Sequence, residues 1–300
     1  MEVKGIKFND QKIDFPEGKT YNAGEGLSLD NNTFSVKTAT KKTFGAVRVW
    51  EENDTLFIST EPLPNRTFSQ NSASVIASTS KAISASNLTS EQVAEEYGWN
   101  LGDKIPITLS NGEVIEMRII GFNHDTLSDG TGKAGLTLDM VDCLATDYLM
   151  YPYGSSNAGG YPSSSLRNST FPTLKAMLPQ EWQDIIKLVD KKSANGGSTN
   201  YTETVTTSDD LFLLSEIELF GTVTNAQDGV NEGGVYEYWN GKTAEERTKH
   251  KTRYDGFVYD ASYLLRSCPY NSTDQVLYCA SGQSYSASNT YRNTSFAFCV

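Results

Sequence analysis

The sequence predicts an α+β fold in which a small all-β module (residues 1–62) and a larger mixed domain (91–300) flank a Ser/Ala-rich connection (63–90). Three observations carry this. Short period-two strand patterns divided by turn residues fill the first part, helix signals are few and central, and strand pairs frame polar, aromatic turns at the end. A chain of 300 residues with 38% apolar content has enough material for a packed core and about two domains.

In the first module, Leu27-Ser28-Leu29-Asp30 and Thr33-Phe34-Ser35-Val36-Lys37 alternate apolar and polar side chains around a turn at Asn31-Asn32. A second pair runs from Phe44 to Trp50 and from Thr55 to Ser59, around Glu51-Glu52-Asn53-Asp54. Two hairpins with one apolar face bury too little alone, so the module should trimerise or dock on another protein. Pro62 and Pro64 then stop the sheet. The tract Ser69–Ser90, mostly Ser, Ala, Asn and Thr, reads as a linker. Val75-Ile76, Ile83 and Leu88 recur within it, and a packed turn or short helix is the competing reading.

Ser90–Tyr97 opens on a cap residue and ends at Gly98, as a short helix does. Lys104–Leu109 and Val114–Phe122 flank Ser110-Asn111-Gly112 as a hairpin, and Leu136–Val141 is a further strand. Pro179–Val189 carries Trp182, Ile185, Ile186 and Val189 on one face behind an initial proline, and is the clearest helix in the chain. Asp210–Ser215 reads as a short buried strand.

Composition excludes several function classes. The net charge of −12 and a pI near 4.7, with no basic stripe, exclude nucleic acid as a partner. No window approaches the roughly 18 apolar residues of a membrane span, so no membrane insertion is expected. No signal-peptide pattern stands behind Met1-Glu2-Val3-Lys4-Gly5, so synthesis in a cytoplasm is expected. Cys143, Cys268, Cys279 and Cys299 lack C-x-x-C or histidine spacing and read as reduced, half-buried hydrophobes, with a Cys268–Cys279 bridge as the alternative.

Catalytic material is thin, and the chain is not read as an enzyme. Gly130-x-Gly132-x-x-Gly135 has the spacing of a dinucleotide fingerprint, but the strand pattern Leu136-Thr137-Leu138 follows where a helix is required, leaving a Gly-rich loop and no cofactor. His124, Asp125 and Asp129 lie close together without the alternating ligands of a calcium loop, and read as turn-stabilising residues; no metal site is expected. His250 sits among Arg247, Lys249 and Lys251, read as a solvated charged face. Asp209-Asp210 and Glu216-x-Glu218 read as ordinary surface carboxylates rather than the paired acids of a depolymerase.

The closing stretch, Tyr254–Val300, has a contact-surface composition. Between Ser262 and Phe298, 16 of 37 positions are Tyr, Ser or Asn and only Arg266, Asp274 and Arg292 are charged, a mixture also used by antibody paratopes. Val276-Leu277 and Phe296-Ala297-Phe298 would hold its loops on a rigid sheet. Tyr270, Asn271, Ser272, Thr273, Tyr285, Ser286, Ser288, Asn289, Tyr291, Arg292 and Asn293 are therefore the candidate ligand contacts: aromatic faces stack, while hydroxyls and amides orient.

The residues Tyr21-x-Ala23-Gly24-x-Gly26-Leu27-Ser28-Leu29-x-Asn31-Asn32-Thr33-Phe34-Ser35-Val36, followed by Phe44-Gly45-x-Val47-x-Val49 and Leu56-x-Ile58, resemble the β-modules of bacteriophage tail-fibre and head-fibre proteins. That resemblance implies a homotrimer attached through its N-terminal module to other virion proteins. Trp99-x-Leu101-Gly102-Asp103-Lys104-Ile105-Pro106, Ile119-Ile120-Gly121-Phe122-Asn123-His124-Asp125, Ser164-Ser165-Leu166-Arg167, Asp210–Glu216, Tyr263-Leu264-Leu265-Arg266-Ser267 and Phe296–Val300 are similar to an uncharacterised domain common in phage and gut-bacterial surface proteins. That domain resembles the C-type-lectin-like fold, which formylglycine-generating enzymes also share, although their copper-binding cysteine motif is absent here. Leu264, where Trp is commoner, and Thr294-Ser295-Phe296, where an aromatic-Arg-Pro ending is usual, depart from the pattern and bear on partner identity. Together the resemblances imply a virion fibre protein whose C-terminal domain binds a host-surface glycan or protein. The alternative is a structural head-fibre, collar or capsid-decorating component without receptor binding. A bacterial surface adhesin fits less well, for want of a signal peptide.

Overall fold

The computed structural model describes residues 64–153, 156–197, 203–252, 256–270 and 272–300, together with the backbone of six strands before residue 64. The chain divides into two units, Met1–Asn65 and Arg66–Val300.

In the first unit, β1 (Gly5–Phe8), β2 (Gln11–Asp14), β5 (Val49–Glu52) and β6 (Thr55–Ile58) form a sheet of order β2-β1-β6-β5, while β3 (Leu27–Asp30) pairs with β4 (Thr33–Val36). β3 pairs with β4 and β5 with β6 as the alternation predicts, but Glu51 and Glu52, expected in a turn, belong to β5; the expected turn residues Asn31, Asn32, Asn53 and Asp54 lie outside the described residues. The side chains of the expected trimerisation and attachment face lie outside the described residues.

The second unit begins with a helix where a linker was the plainer expectation. In α1 (Ala73–Ser86), Ala73, Ile76, Ser80 and Ile83 recur at helical spacing and are buried, the Ser72 side chain accepts from Val75 N, and Asn87 ends the helix in the left-handed region. The Ser/Ala composition is a packing surface rather than a sign of flexibility: the helix lies so close to Gly135 that a Cβ there would sit 1.9 Å from the Ser80 carbonyl oxygen. This close approach, rather than a nucleotide, explains the third glycine of Gly130-x-Gly132-x-x-Gly135. Helix α2 (Ser90–Tyr97) follows, with Thr89 and Gln92 forming a capping box and Gly98 closing it.

The central sheet is antiparallel, in the order β17-β9-β8-β7, from β7 (Lys104–Thr108), β8 (Val114–Phe122), β9 (Leu136–Met140) and β17 (Ala297–Cys299). Its two faces carry different chemistry. Leu136, Leu138, Met140, Met117, Ile119 and Phe298 join a core with Trp99, Trp182, α1 and α3 (Phe171–Met177). Thr137, Asp139, Arg118 and Cys299 alternate with them, as period two requires, and occupy the opposite side beside a second core around Ile120, Phe212, Tyr236 and Trp239. A register shift between Ile119 and Gly121 brings Gly121 opposite Thr137. There, a Cβ would lie 3.1 Å from the Tyr236 ring, so the missing side chain admits that ring.

The helix expected over 179–189 is only one turn, α4 (Gln180–Gln183). Trp182 and Ile186 are buried as expected, but the backbone beyond is captured by other partners: Lys187 N donates to Cys299 O, and Val189 opens β10 (Val189–Ala194), which pairs with β11 (Thr204–Asp209). The strand expected at Asp210–Ser215 is a buried extended segment joined to the central sheet only at Phe212, which exchanges two backbone hydrogen bonds with Ala297. Helices α5 (Glu216–Phe220) and α6 (Ala244–Arg247) precede a hairpin of β12 (His250–Thr252) and β13 (Val258–Asp260). A last sheet, of order β14-β15-β16, comprises β14 (Tyr263–Leu264), β15 (Gln275–Ala280) and β16 (Gln283–Ser288).

Candidate functional site

The exposed site is built on the β15–β16 hairpin. Ser281 and Gly282, both at positive φ, form a two-residue turn that sets Tyr278 directly opposite Tyr285. Their rings stack with centroids 5.9 Å apart, and the Arg292 guanidinium lies 3.9 Å from the centre of the Tyr278 ring. The backbone of Arg292 is fixed by two reciprocal hydrogen bonds to Tyr148. Burial pushes the Arg292 pKa down and Tyr278 acts against it. The result is a row of one cation and two rings on a rigid hairpin; Ser286 and Ser288, also exposed, alternate with Tyr285 along β16 and lie on the other face of the strand.

The predicted contact residues divide by role. Tyr270 is 58% exposed, Tyr285 42% and Tyr291 67%, and Thr273, Ser286 and Ser288 are also exposed. Tyr270 is held beside the hairpin, because its N–H donates to Asn225 O and the Asn225 amide donates to Ser284 O. Asn289 and Asn293 are buried scaffolding instead. Asn289 accepts from Tyr151 N and donates to Tyr151 O; Asn293 accepts from Ser262 N and donates to Asp147. Ser272 is buried too, and its hydroxyl accepts from Asp274 N and Gln275 N, bracing a turn. Asn271 lies outside the described residues. Tyr278, absent from the candidate contacts, stacks on Tyr285, and the Ser281-Gly282 turn was the signal that fixes their register.

A buried ionic network takes in Glu218, read from the sequence as a surface acid, and Asp125, read as a turn-stabilising residue. Arg266 is fully buried and its guanidinium donates to Lys192 O, Leu213 O, Glu218 Oε2 and Glu232 O, joining four segments. Glu218 also accepts at Oε1 from Lys191 Nζ (2.9 Å), whose other partners are Asp125 Oδ1 (2.5 Å) and the Tyr236 hydroxyl (2.8 Å). Burial drives the Lys191 pKa down, but Asp125 and Glu218 more than offset it, leaving it above the ordinary lysine value. Burial likewise raises the Glu218 carboxyl, and Arg266 and Lys191 overcome that, holding it at about 2. Glu232 differs: burial prevails over Arg266 and over the bonds from Ser267 and Ala194 N, and lifts its pKa to about 7.

These positions correct several expectations. Asp209, Glu216 and Glu218 are buried and bonded, not ordinary surface acids; Asp209, for example, pairs with Arg167 Nε at 2.5 Å. Lys249 and Lys251 are buried as well, on Asp139 and Asp147, because the chain alternates and only His250 points outward. Asp129 does stabilise its own turn, through Thr131, whereas Asp125 turns inward to Lys191. Among the described residues no group of three or more His, Cys, Asp or Glu could hold a metal ion. All four cysteines are free and buried, with no Cys268–Cys279 bridge, and burial pushes the Cys143 and Cys268 thiols up to about 12. No helix among the described residues is long and apolar enough to cross a membrane.

A family model described as a domain of unknown function, DUF6273, matches residues 143–297, just over half the chain. The chain belongs to that family. The matched DUF6273 span contains both the tyrosine hairpin and, apart from Asp125, every charged member of the buried network joined to Lys191 and Arg266. No match was found among curated proteins or among solved structures.

Proposed function

We propose that the chain is a phage virion fibre protein whose C-terminal domain binds a host-surface ligand through the β15–β16 face. The observation that carries this reading is the Arg292, Tyr278 and Tyr285 row, held on a rigid hairpin in a stretch whose Tyr270 and Tyr291 rings are also exposed. Ring faces and neutral hydroxyls suit a carbohydrate: the rings stack on its apolar faces and the hydroxyls orient it without desolvating a charge. The C-type-lectin-like architecture belongs to the same proposal, as does homotrimerisation, which would turn weak single contacts into avidity. Catalysis forms no part of it.

Replacing Tyr285 and Tyr291 together by Ala tests the reading. Adsorption of the labelled protein to host cells should fall at least tenfold while its melting temperature holds; unchanged adsorption refutes it. One observation favours a structural virion component instead. Strand β16 is a sheet edge whose sequence, Gln-Ser-Tyr-Ser-Ala-Ser, carries none of the Lys, Pro or other charge that usually protects an edge from pairing with another chain. Under that second reading the same double variant blocks particle assembly.

A further inference from the structure

We propose that Lys191 and Asp125 become joined by an amide bond between Nζ and Cγ, with Glu218 carrying one of the protons. Three features of the site meet the demands of that condensation. The first is proximity: both side chains are almost fully buried, Nζ lies 2.5 Å from Asp125 Oδ1, and the Phe212 ring covers Nζ at 4.0 Å from its centroid. Held groups of this kind react as though at very high concentration.

The second is a proton carrier. Glu218 is anchored at Oε2 by Ser215 N and Arg266 Nη1, both at 2.9 Å, which turns Oε1 toward Nζ. The third is activation of the carboxyl. Asp125 Oδ2 accepts from Thr137 Oγ1 (2.6 Å), the Tyr236 hydroxyl (3.0 Å) and Cys299 Sγ (3.3 Å), three donors placed where negative charge develops when the carbon is attacked.

The step balances without a co-reactant. The ammonium passes one proton to Asp125 Oδ1 across their direct contact, the freed lone pair forms the Nζ–Cγ bond, and the nitrogen, made far more acidic by that bond, gives a second proton to Glu218 Oε1. Charge gathers on Oδ2 under its three donors. The second proton follows to Oδ1 by way of the Tyr236 hydroxyl, which touches Nζ and both Asp125 oxygens, so that Oδ1 holds two Nζ protons in all. The Cγ–Oδ1 bond then breaks and water leaves. A cavity of about 590 Å³ walled in part by Asp125, Lys191 and Glu218 receives it. No oxidation state changes.

The second buried Lys–Asp pair supplies an internal control. Lys249 Nζ lies 2.8 and 2.9 Å from the two Asp139 oxygens, but the third charged group there is Arg118, 3.5 Å from Asp139, which cannot accept a proton. That pair should remain unlinked.

The test is the denatured intact mass of the purified full chain, followed by peptide mapping. Expected are a mass one water below that of the sequence, a branched peptide joining Lys191 to Asp125, and separate Lys249 and Asp139 peptides. A mass equal to that of the sequence overturns the proposal, and this result needs no variant to fold. Glu218→Gln should restore the full mass and reduce the branched peptide at least tenfold. Complete linkage in that variant, or equal linkage of Lys249 to Asp139, overturns the role given to Glu218.

Discussion

The interior around Arg266 and the surface around Tyr285 invert the usual placement of charge. The interior holds Asp125, Lys191, Glu218, Glu232 and Arg266 away from water, whereas the hairpin surface is aromatic and hydroxylated with the single cation of Arg292. The difference teaches where specificity resides in each. Buried charges contribute little net stability as a set, yet each is costly to leave alone, so they enforce one arrangement of the segments they join. Exposed rings cost little to hold in water and remain free to meet a partner. A second contrast lies within the interior. Lys191, with two carboxylates, has its pKa raised, whereas at Lys249 burial outweighs the single Asp139 and the pKa falls. The number of opposing charges, not depth, decides the direction.

The strongest break of this contrast is Arg266→Met. It strands Glu218 and leaves the carbonyls of Leu213 and Glu232 without their donor, and should cost on the order of 3–5 kcal/mol in chemical denaturation. Arg266→Lys should recover little of that, because an ammonium cannot span the four acceptors.

Glu232→Gln comes next. A carboxyl raised to about 7 contributes stability in its protonated form, present in full below the unfolded value of 4.5 and lost as pH rises through 7. The gap corresponds to about 3 kcal/mol across that window. The amide should flatten that share of the pH dependence, so the gap between wild-type and variant midpoints at pH 5 should shift by that amount at pH 8. A gap independent of pH would show that Glu232 does not titrate there.

On the surface the effects should reverse in kind. Tyr285→Ala removes one cross-strand stack worth roughly 0.2–1 kcal/mol of stability, while weakening ligand binding about tenfold, or ~1.4 kcal/mol. Smallest of all, Asn289→Asp and Tyr285→Phe should separate scaffold from contact. The first loses the donor to Tyr151 O and lowers the melting temperature; the second leaves melting unchanged and affects binding only.

Legibility followed the range of the interactions. Helix α2 and the β7–β8 hairpin are set by neighbours in sequence, through the Thr89 and Gln92 capping box and the turn around Gly112, and the residue pattern shows both. Helix α1 was obscured by composition: its Ser and Ala residues resemble a linker until Ala73, Ile76, Ser80 and Ile83 are counted at helical spacing. Beyond Gln183 the helical pattern was real, but Lys187 and Val189 found strand partners far along the chain. The interior network was the least legible. Lys191 meets Asp125 and Tyr236 across 66 and 45 residues, and nothing local distinguishes these side chains from solvated ones. The hairpin face was legible in character but not in detail, since Asn289 and Asn293 share the polarity of their neighbours and face inward.

Strand β17 lies beside β9, some 160 residues earlier, and sends Phe298 into one core and Ala297 and Cys299 into the other. Neither half of the interior can therefore close during synthesis until residue 299 has left the ribosome. Until then Leu138 and Phe212 lack their partners and the nascent chain presents sticky surface. High contact order of this kind makes folding slow and the waiting intermediate prone to aggregate. Expression at low temperature, or with a chaperone that shields nascent chains, should raise the soluble yield.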